Sequence, residues 1–222
     1  MALAAVLLSP GAAAAGIHED FPQVIHASER YVIYSHGLIV EGEDSQPVHP
    51  EFGMYDFPAI KAALFSNGGY NLIAPHRAKN ADGKAYVQKL EGGVRRLLAA
   101  GVPPDRITLV GFSRGAQLTA MAASRLRPLN INTALLALCS RGDFVATPPV
   151  TLTGRVLSVY ETSDSVGSCA ALARRSQLTS FEEIAIHTGL AHGAFYQPRF
   201  EWMAPLKAWI DRVTASPRGN LQ

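Results

Sequence analysis

Gly111-Phe112-Ser113-Arg114-Gly115 is the stretch around which this chain is read. Before it runs Arg106-Ile107-Thr108-Leu109-Val110, an apolar segment with the character of a buried strand. After it comes Ala116-Gln117-Leu118-Thr119-Ala120-Met121-Ala122-Ala123, whose apolar residues suit a helix. A strand, a tight turn and a helix are the context that gives G-x-S-x-G its meaning. Such a turn forces Ser113 into a strained conformation, so the residues two before and two after it must be small. Gly111 and Gly115 meet that need. The hydroxyl is then held clear of the sheet, at the positive end of the helix that follows.

Working outward, the pattern predicts further strands over residues 31–35, 70–74, 133–139, 155–160 and 183–186. Helices are expected over 55–65, 85–100, 170–173 and 202–213, with loops at 39–52 and 75–84. Strands that are apolar throughout and alternate with helices predict an α/β fold, a three-layer sandwich with a mostly parallel central sheet. The 222 residues suit one domain, and 48% hydrophobic with 17% charged residues marks a globular chain. A formal charge of +2, without a basic block, gives no sign of a nucleic-acid partner.

Residues 1–16 read as an export leader, with the apolar core Leu3-Ala4-Ala5-Val6-Leu7-Leu8 followed by Ala12-Ala13-Ala14-Ala15. That core is too short to span a bilayer, so no stable membrane insertion is expected. Residues 17–222 then form one domain, exported to the periplasm or secreted. Cys139 and Cys169 are the only cysteines, and an oxidising compartment would let them join.

A serine hydroxyl needs a base, and the base needs an orienting group. His192 follows the last predicted strand in Gly189-Leu190-Ala191-His192-Gly193-Ala194, where small neighbours leave it free to swing. His187, continuing that strand and half buried, is its rival. For the acid, Asp164 lies after the 155–160 strand, with Glu161 and Asp143 able to take the same role. Ligands of parallel sheets sit at the carboxyl ends of the strands, where all of these residues fall.

The order Ser113, Asp164, His192 on alternating strands and helices resembles the α/β-hydrolase superfamily, over residues 30–213. The resemblance implies an oxyanion hole from two backbone N–H groups. His36-Gly37-Leu38 matches the family's HG-x sequence and would supply Leu38, while Arg114 follows the nucleophile. It further implies a serine hydrolase acting on a carboxylic ester or related acyl compound. A serine peptidase, thioesterase or acyltransferase with the same triad is the alternative, and a non-catalytic binding module on this fold a more distant one. Only about fourteen residues, 140–153, separate two strands where larger lipases carry a helical cap, which implies an open site. On its rim, His49, His76, Glu41, Glu43 and Asp44 read as solvated surface, and Arg77 with Lys79 as a hint of an anionic substrate group. The histidines lack H-E-x-x-H or paired spacing, and neither G-x-G-x-x-G nor a P-loop lysine is present. No metal or cofactor is therefore expected.

Overall fold

A computed structural model describes residues 15–140 and 150–214. Its strands are β1 (Ile17–His18), β2 (Tyr31–Ser35), β3 (Val48–His49), β4 (Gly53–Met54), β5 (Asn71–Ile73) and β6 (Ile107–Phe112). They continue with β7 (Asn132–Leu136), β8 (Cys139–Ser140), β9 (Thr153–Glu161), β10 (Val166–Gly167) and β11 (Gln177–Ile186). The α-helices are α1 (Phe57–Phe65), α2 (Gly83–Ala99), α3 (Arg114–Arg125), α4 (Ala170–Arg174) and α5 (Phe200–Thr214).

Seven strands form one sheet in the order β1-β5-β2-β6-β7-β9-β11, and every neighbouring pair is parallel. Alternate side chains of each strand enter two different cores. Tyr31, Ile33, Ile107, Leu109, Leu135 and Val156 join the core capped by α2, α3 and Leu172 of α4. Val32, Tyr34, Val110, Phe112, Leu136 and Val159 join the core capped by α1 and α5. Both faces are thus covered, which is why the central strands carry apolar residues on both faces rather than at every second position. Helix starts are set locally. Asp56 Oδ1 accepts the Ala59 N–H at 2.9 Å to cap α1, and Asp82 Oδ1 accepts the Lys84 N–H at 2.8 Å to cap α2.

The structure departs from the expected elements at four places. The segment before residue 31 contributes β1 at the sheet edge, where two residues suffice because β5 supplies the pairing template. Strand β11 begins at Gln177 rather than near residue 183. Its pattern is masked because, at this edge, the side chains of β11 are mostly half-exposed. The strand predicted over 133–139 stops at Leu136, where Ala137 turns at φ +48°, so Cys139 belongs to the separate strand β8, which pairs with β10. The loop 39–52 is not featureless, because β3 pairs with β4 in a small antiparallel hairpin.

Candidate active site

Ser113 sits between β6 and α3 with φ 53° and ψ −118°, the strained elbow expected from its neighbours. A Cβ on Gly111 would meet the Gly115 carbonyl at 2.5 Å, and one on Gly115 would meet the Ser35 and His36 carbonyls at 2.0 and 2.4 Å. Only glycine fits at either place. The backbone holds the turn from both sides: the Ser113 N–H donates to Leu136 O at 2.9 Å and the Gln117 N–H to Ser113 O at 3.0 Å.

The side chain of Ser113 makes no capping bond; its Oγ lies 2.8 Å from His192 Nε2. His192 is carried by a 3-10 turn, Ala191–Phe195, beyond β11. Its Nδ1 lies 2.6 Å from Oδ2 of Asp164, a residue only 3% exposed. A carboxylate can only accept, so Nδ1 carries the proton and Nε2 is left to accept the Ser113 hydroxyl. Burial pushes the Asp164 pKa up, but the hydrogen bond and charge interaction with His192 outweigh it, aided by the Val166 and Ser165 N–H groups. The net shift is below the usual carboxylate range. Three side chains from three loops at the carboxyl edge of the sheet thus form one hydrogen-bonded chain.

Leu38 opens a 3-10 turn after β2, and Arg114 is the first residue of α3. Their segments touch through glycines: Gly115 packs on the Ser35–His36 backbone, and a Cβ on Gly37 would lie 3.0 Å from the Phe112 ring. The first amides of a helix have no partner within it, so the Arg114 N–H can serve an anion at the elbow.

No family model matches the sequence, and neither does any curated protein. Solved structures do. An arylesterase matches with TM-score 0.59 and 13% identity, over 88% of this chain and 79% of that one. An esterase of the bacterial hormone-sensitive lipase family matches with TM-score 0.58 and 14% identity, over 84% and 77%. A variant of SOBER1 from Arabidopsis thaliana matches with TM-score 0.55 and 16% identity, over 83% and 100%. The chain has the α/β-hydrolase fold.

Within this hydrolase fold the remaining candidates separate. Glu161 does not reach His192. It is fully buried and turned between two loops, accepting Ser163 N–H at 2.6 Å, the Ser163 hydroxyl, Thr188 N–H at 2.8 Å and Gly189 N–H at 3.0 Å. Burial raises its pKa, yet these bonds, led by the Ser163 hydroxyl, bring the net value below normal. Asp143 lies outside the described residues. His187, expected to be half buried, is exposed and bonds to Thr162 Oγ1 at 3.0 Å, and among the described residues it is His192 that lies beside Ser113. The small residue at Gly193 gives close packing rather than freedom, since a Cβ there would lie 2.9 Å from Phe52 Cβ.

Arg77 is the main correction. It is 4% exposed, not a rim residue awaiting an anion. Its guanidinium donates to Glu41 at 3.1 Å, to His36 O at 2.6 Å and to Gly37 O at 3.3 Å, and it covers the Tyr86 ring at 5.0 Å. Its own N–H donates to His36 Nε2 at 2.9 Å, so His36 Nδ1 carries the proton and donates to Gly37 O at 2.7 Å. Burial, and then the Arg77 charge, pull the His36 pKa down to about 3, which keeps the ring neutral. Arg77 and His36 together brace the segment that leads to Leu38. Lys79 is exposed. Sequence reading missed this bracing because a loop arginine carries no mark of burial; the one available signal was Glu41 in the facing loop.

Cys139 and Cys169 form a disulfide, with Cα atoms 5.2 Å apart. The bridge joins β8 to the start of α4, and β8 pairs with β10 just beyond Asp164.

Proposed function

We propose that the protein is an exported, single-domain serine hydrolase that cleaves carboxylic esters through an acyl-enzyme. The observation that carries this reading is the unbroken chain Ser113 Oγ–His192 Nε2, His192 Nδ1–Asp164 Oδ2. In acylation His192 takes the Ser113 proton as Oγ attacks the ester carbonyl. The tetrahedral oxyanion is held by the Leu38 and Arg114 N–H groups. His192 then gives the proton to the departing alcohol, and the C–O bond to it breaks. In deacylation water attacks the acyl carbon as His192 takes its proton; the bond from that carbon to Ser113 Oγ then breaks, His192 returns the proton to Oγ, and the acid leaves. Asp164 holds the imidazole in the required tautomer and stabilises its charged form. Each oxyanion donor is worth roughly 2.7–4 kcal/mol of barrier lowering, by analogy with measured cases.

The esterase neighbours support this reading at the level of fold. The disulfide supports an oxidising compartment, and no helix among the described residues is long and apolar enough to cross a membrane. Ser113→Ala tests the proposal. It should fold normally and lose at least about a thousandfold in turnover of p-nitrophenyl esters. A fluorophosphonate probe should label Ser113 in the native protein. Labelling of a different serine, or an active Ser113→Ala protein, would overturn the reading. Peptide and thioester substrates run alongside decide the acyl class.

A further inference from the structure

Residues 76 and 77 hold the segment that follows β2 along its whole length. The Arg77 guanidinium donates through Nη2 to His36 O at 2.6 Å and to Gly37 O at 3.3 Å, and through Nε to Glu41 Oε1 at 3.1 Å. The Arg77 backbone joins in at both ends. Its N–H donates to His36 Nε2 at 2.9 Å, and its carbonyl accepts the Gly42 N–H at 3.0 Å. Between these ends His76 Nε2 donates to Val40 O at 2.5 Å. Leu38 is exposed and rides in the arc that these contacts span.

Two of the contacts set the direction of the Leu38 amide. Gly37 O accepts from Arg77 Nη2 and also from His36 Nδ1, at 2.7 Å, and both donor side chains are buried. Leu38 N–H belongs to the same peptide group as that carbonyl. A trans peptide is planar, and its C=O and N–H point in opposite directions. With the carbonyl turned into the buried cluster, the N–H is turned out of it. Gly37 has no side chain of its own to fix this peptide, since a Cβ there would press on the Phe112 ring at 3.0 Å. The aim of the Leu38 N–H is therefore left to the polar contacts of Gly37 O.

We propose that Arg77 is a positioning residue of the reaction: by fixing the Gly37–Leu38 peptide it holds the Leu38 N–H where the oxyanion forms. This role rests on the serine hydrolase reading. Arg77 is buried, so it acts through the peptide and not on the ester. Its charge is matched by Glu41, whose side chain is only 6% exposed, so the pair sends little net field into the site. What it contributes is geometry. A planar guanidinium can bond a carboxylate along one edge and carbonyls along another, which a lysine ammonium cannot reproduce. Oxyanion donors act by being aimed before the charge develops, and a displacement of about 1 Å can cost about a hundredfold in rate.

The test measures kcat and KM for a p-nitrophenyl ester, and Ki for a trifluoromethyl ketone of the same acyl chain. It uses the native protein, Arg77→Lys and Glu41→Gln, each well below its Tm. The ketone reports on the oxyanion site: Ser113 Oγ adds to its carbonyl carbon, the Ser113 proton passes to His192, and the former carbonyl oxygen becomes the anion. Arg77→Lys keeps the charge and loses the fork. Its kcat should fall by about thirtyfold to a hundredfold and its Ki rise by a similar factor, with KM within about threefold of native. Glu41→Gln keeps an acceptor for Nε but holds it less firmly, so kcat should fall by about threefold to tenfold with the same pattern. That variant carries the test should Arg77→Lys fail to fold. A folded Arg77→Lys protein that loses only Tm, or loses rate through KM alone, overturns the positioning role. A higher kcat in Glu41→Gln, where the guanidinium stands unopposed, assigns the effect to charge and overturns it as well. In both cases the hydrolase reading stands. Ester turnover that survives Ser113→Ala overturns that reading, and this role with it.

Discussion

Oε1 of Glu161 accepts the backbone N–H of Thr188 at 2.8 Å, and so joins the loop that carries Asp164 to the turn that carries His192. The other oxygen of the same carboxylate holds Ser163, the residue before Asp164. Four hydrogen bonds to one buried carboxylate make this a brace, with the hydrogen-bonded chain to Ser113 lying just beyond it.

Glu161→Gln and Asp164→Asn should therefore fail in different ways. Glutamine places an NH₂ where a backbone or hydroxyl donor now points, leaving a buried donor unmet at a cost of about 1–3 kcal/mol. Its main effect should be a lower Tm, with a moderate loss in kcat. Asp164→Asn should keep most of the stability but lose turnover on the order of ten-thousandfold, because the amide favours the wrong imidazole tautomer. Thermal denaturation and steady-state kinetics on both variants check the contrast. A Glu161→Gln protein less active than Asp164→Asn would reverse the assignment.

The two histidines of the last loop offer a second contrast. His192→Ala should abolish turnover, by about a thousandfold or more. His187 is exposed and bonded to Thr162 alone among the contacts seen, so His187→Ala should change stability by no more than about 0.5 kcal/mol and leave kcat near native. Kinetics and urea denaturation of the pair decide it.

The disulfide should matter for stability before it matters for chemistry. It closes a loop spanning a sequence separation of 30, worth roughly 3–4 kcal/mol in the chain-entropy model. Cys139→Ser with Cys169→Ser should lower Tm, and a reducing agent should do the same to the native protein only. Non-reducing mass spectrometry should find no free thiol. Activity at low temperature should persist, since Cys169 N–H is also held by Glu183 at 2.6 Å.

His36 makes stability depend on pH. Its folded pKa is about 3 and its unfolded value about 6.5, so between these the unfolded chain binds more protons. Stability should then fall as pH drops from 6.5, by at most about 1.4 kcal/mol per pH unit from this group. Glu161 and Asp164, whose folded values are lowered, add their loss only as pH falls below about 4. Urea midpoints at pH 7.5, 6 and 4.5 test this. His36→Gln should flatten the slope above pH 4.5, and an equal slope in that variant would remove His36 as the cause.

Much of this was legible because it is local. The elbow around Ser113 follows from two glycines at fixed spacing, and the buried parallel strands from apolar runs that need no distant partner to be recognised. The order of Ser113, Asp164 and His192 at one sheet edge follows from the alternation of strands and helices. What the tertiary structure decided is what depends on who lies opposite whom. Asp164 and Glu161 are both carboxylates after the same strand. Only the placement of the 187–192 turn gives one the imidazole and the other two backbone amides, from Thr188 and Gly189. Arg77 reads as a surface cation until β2 and the loop beyond β5 come together around it. Strand β1 exists because β5 offers it an edge, and Phe52 stands beside His192 because Gly193 leaves room for the hairpin. A residue's chemistry is written in the chain, but its partner is set by packing between segments far apart in sequence.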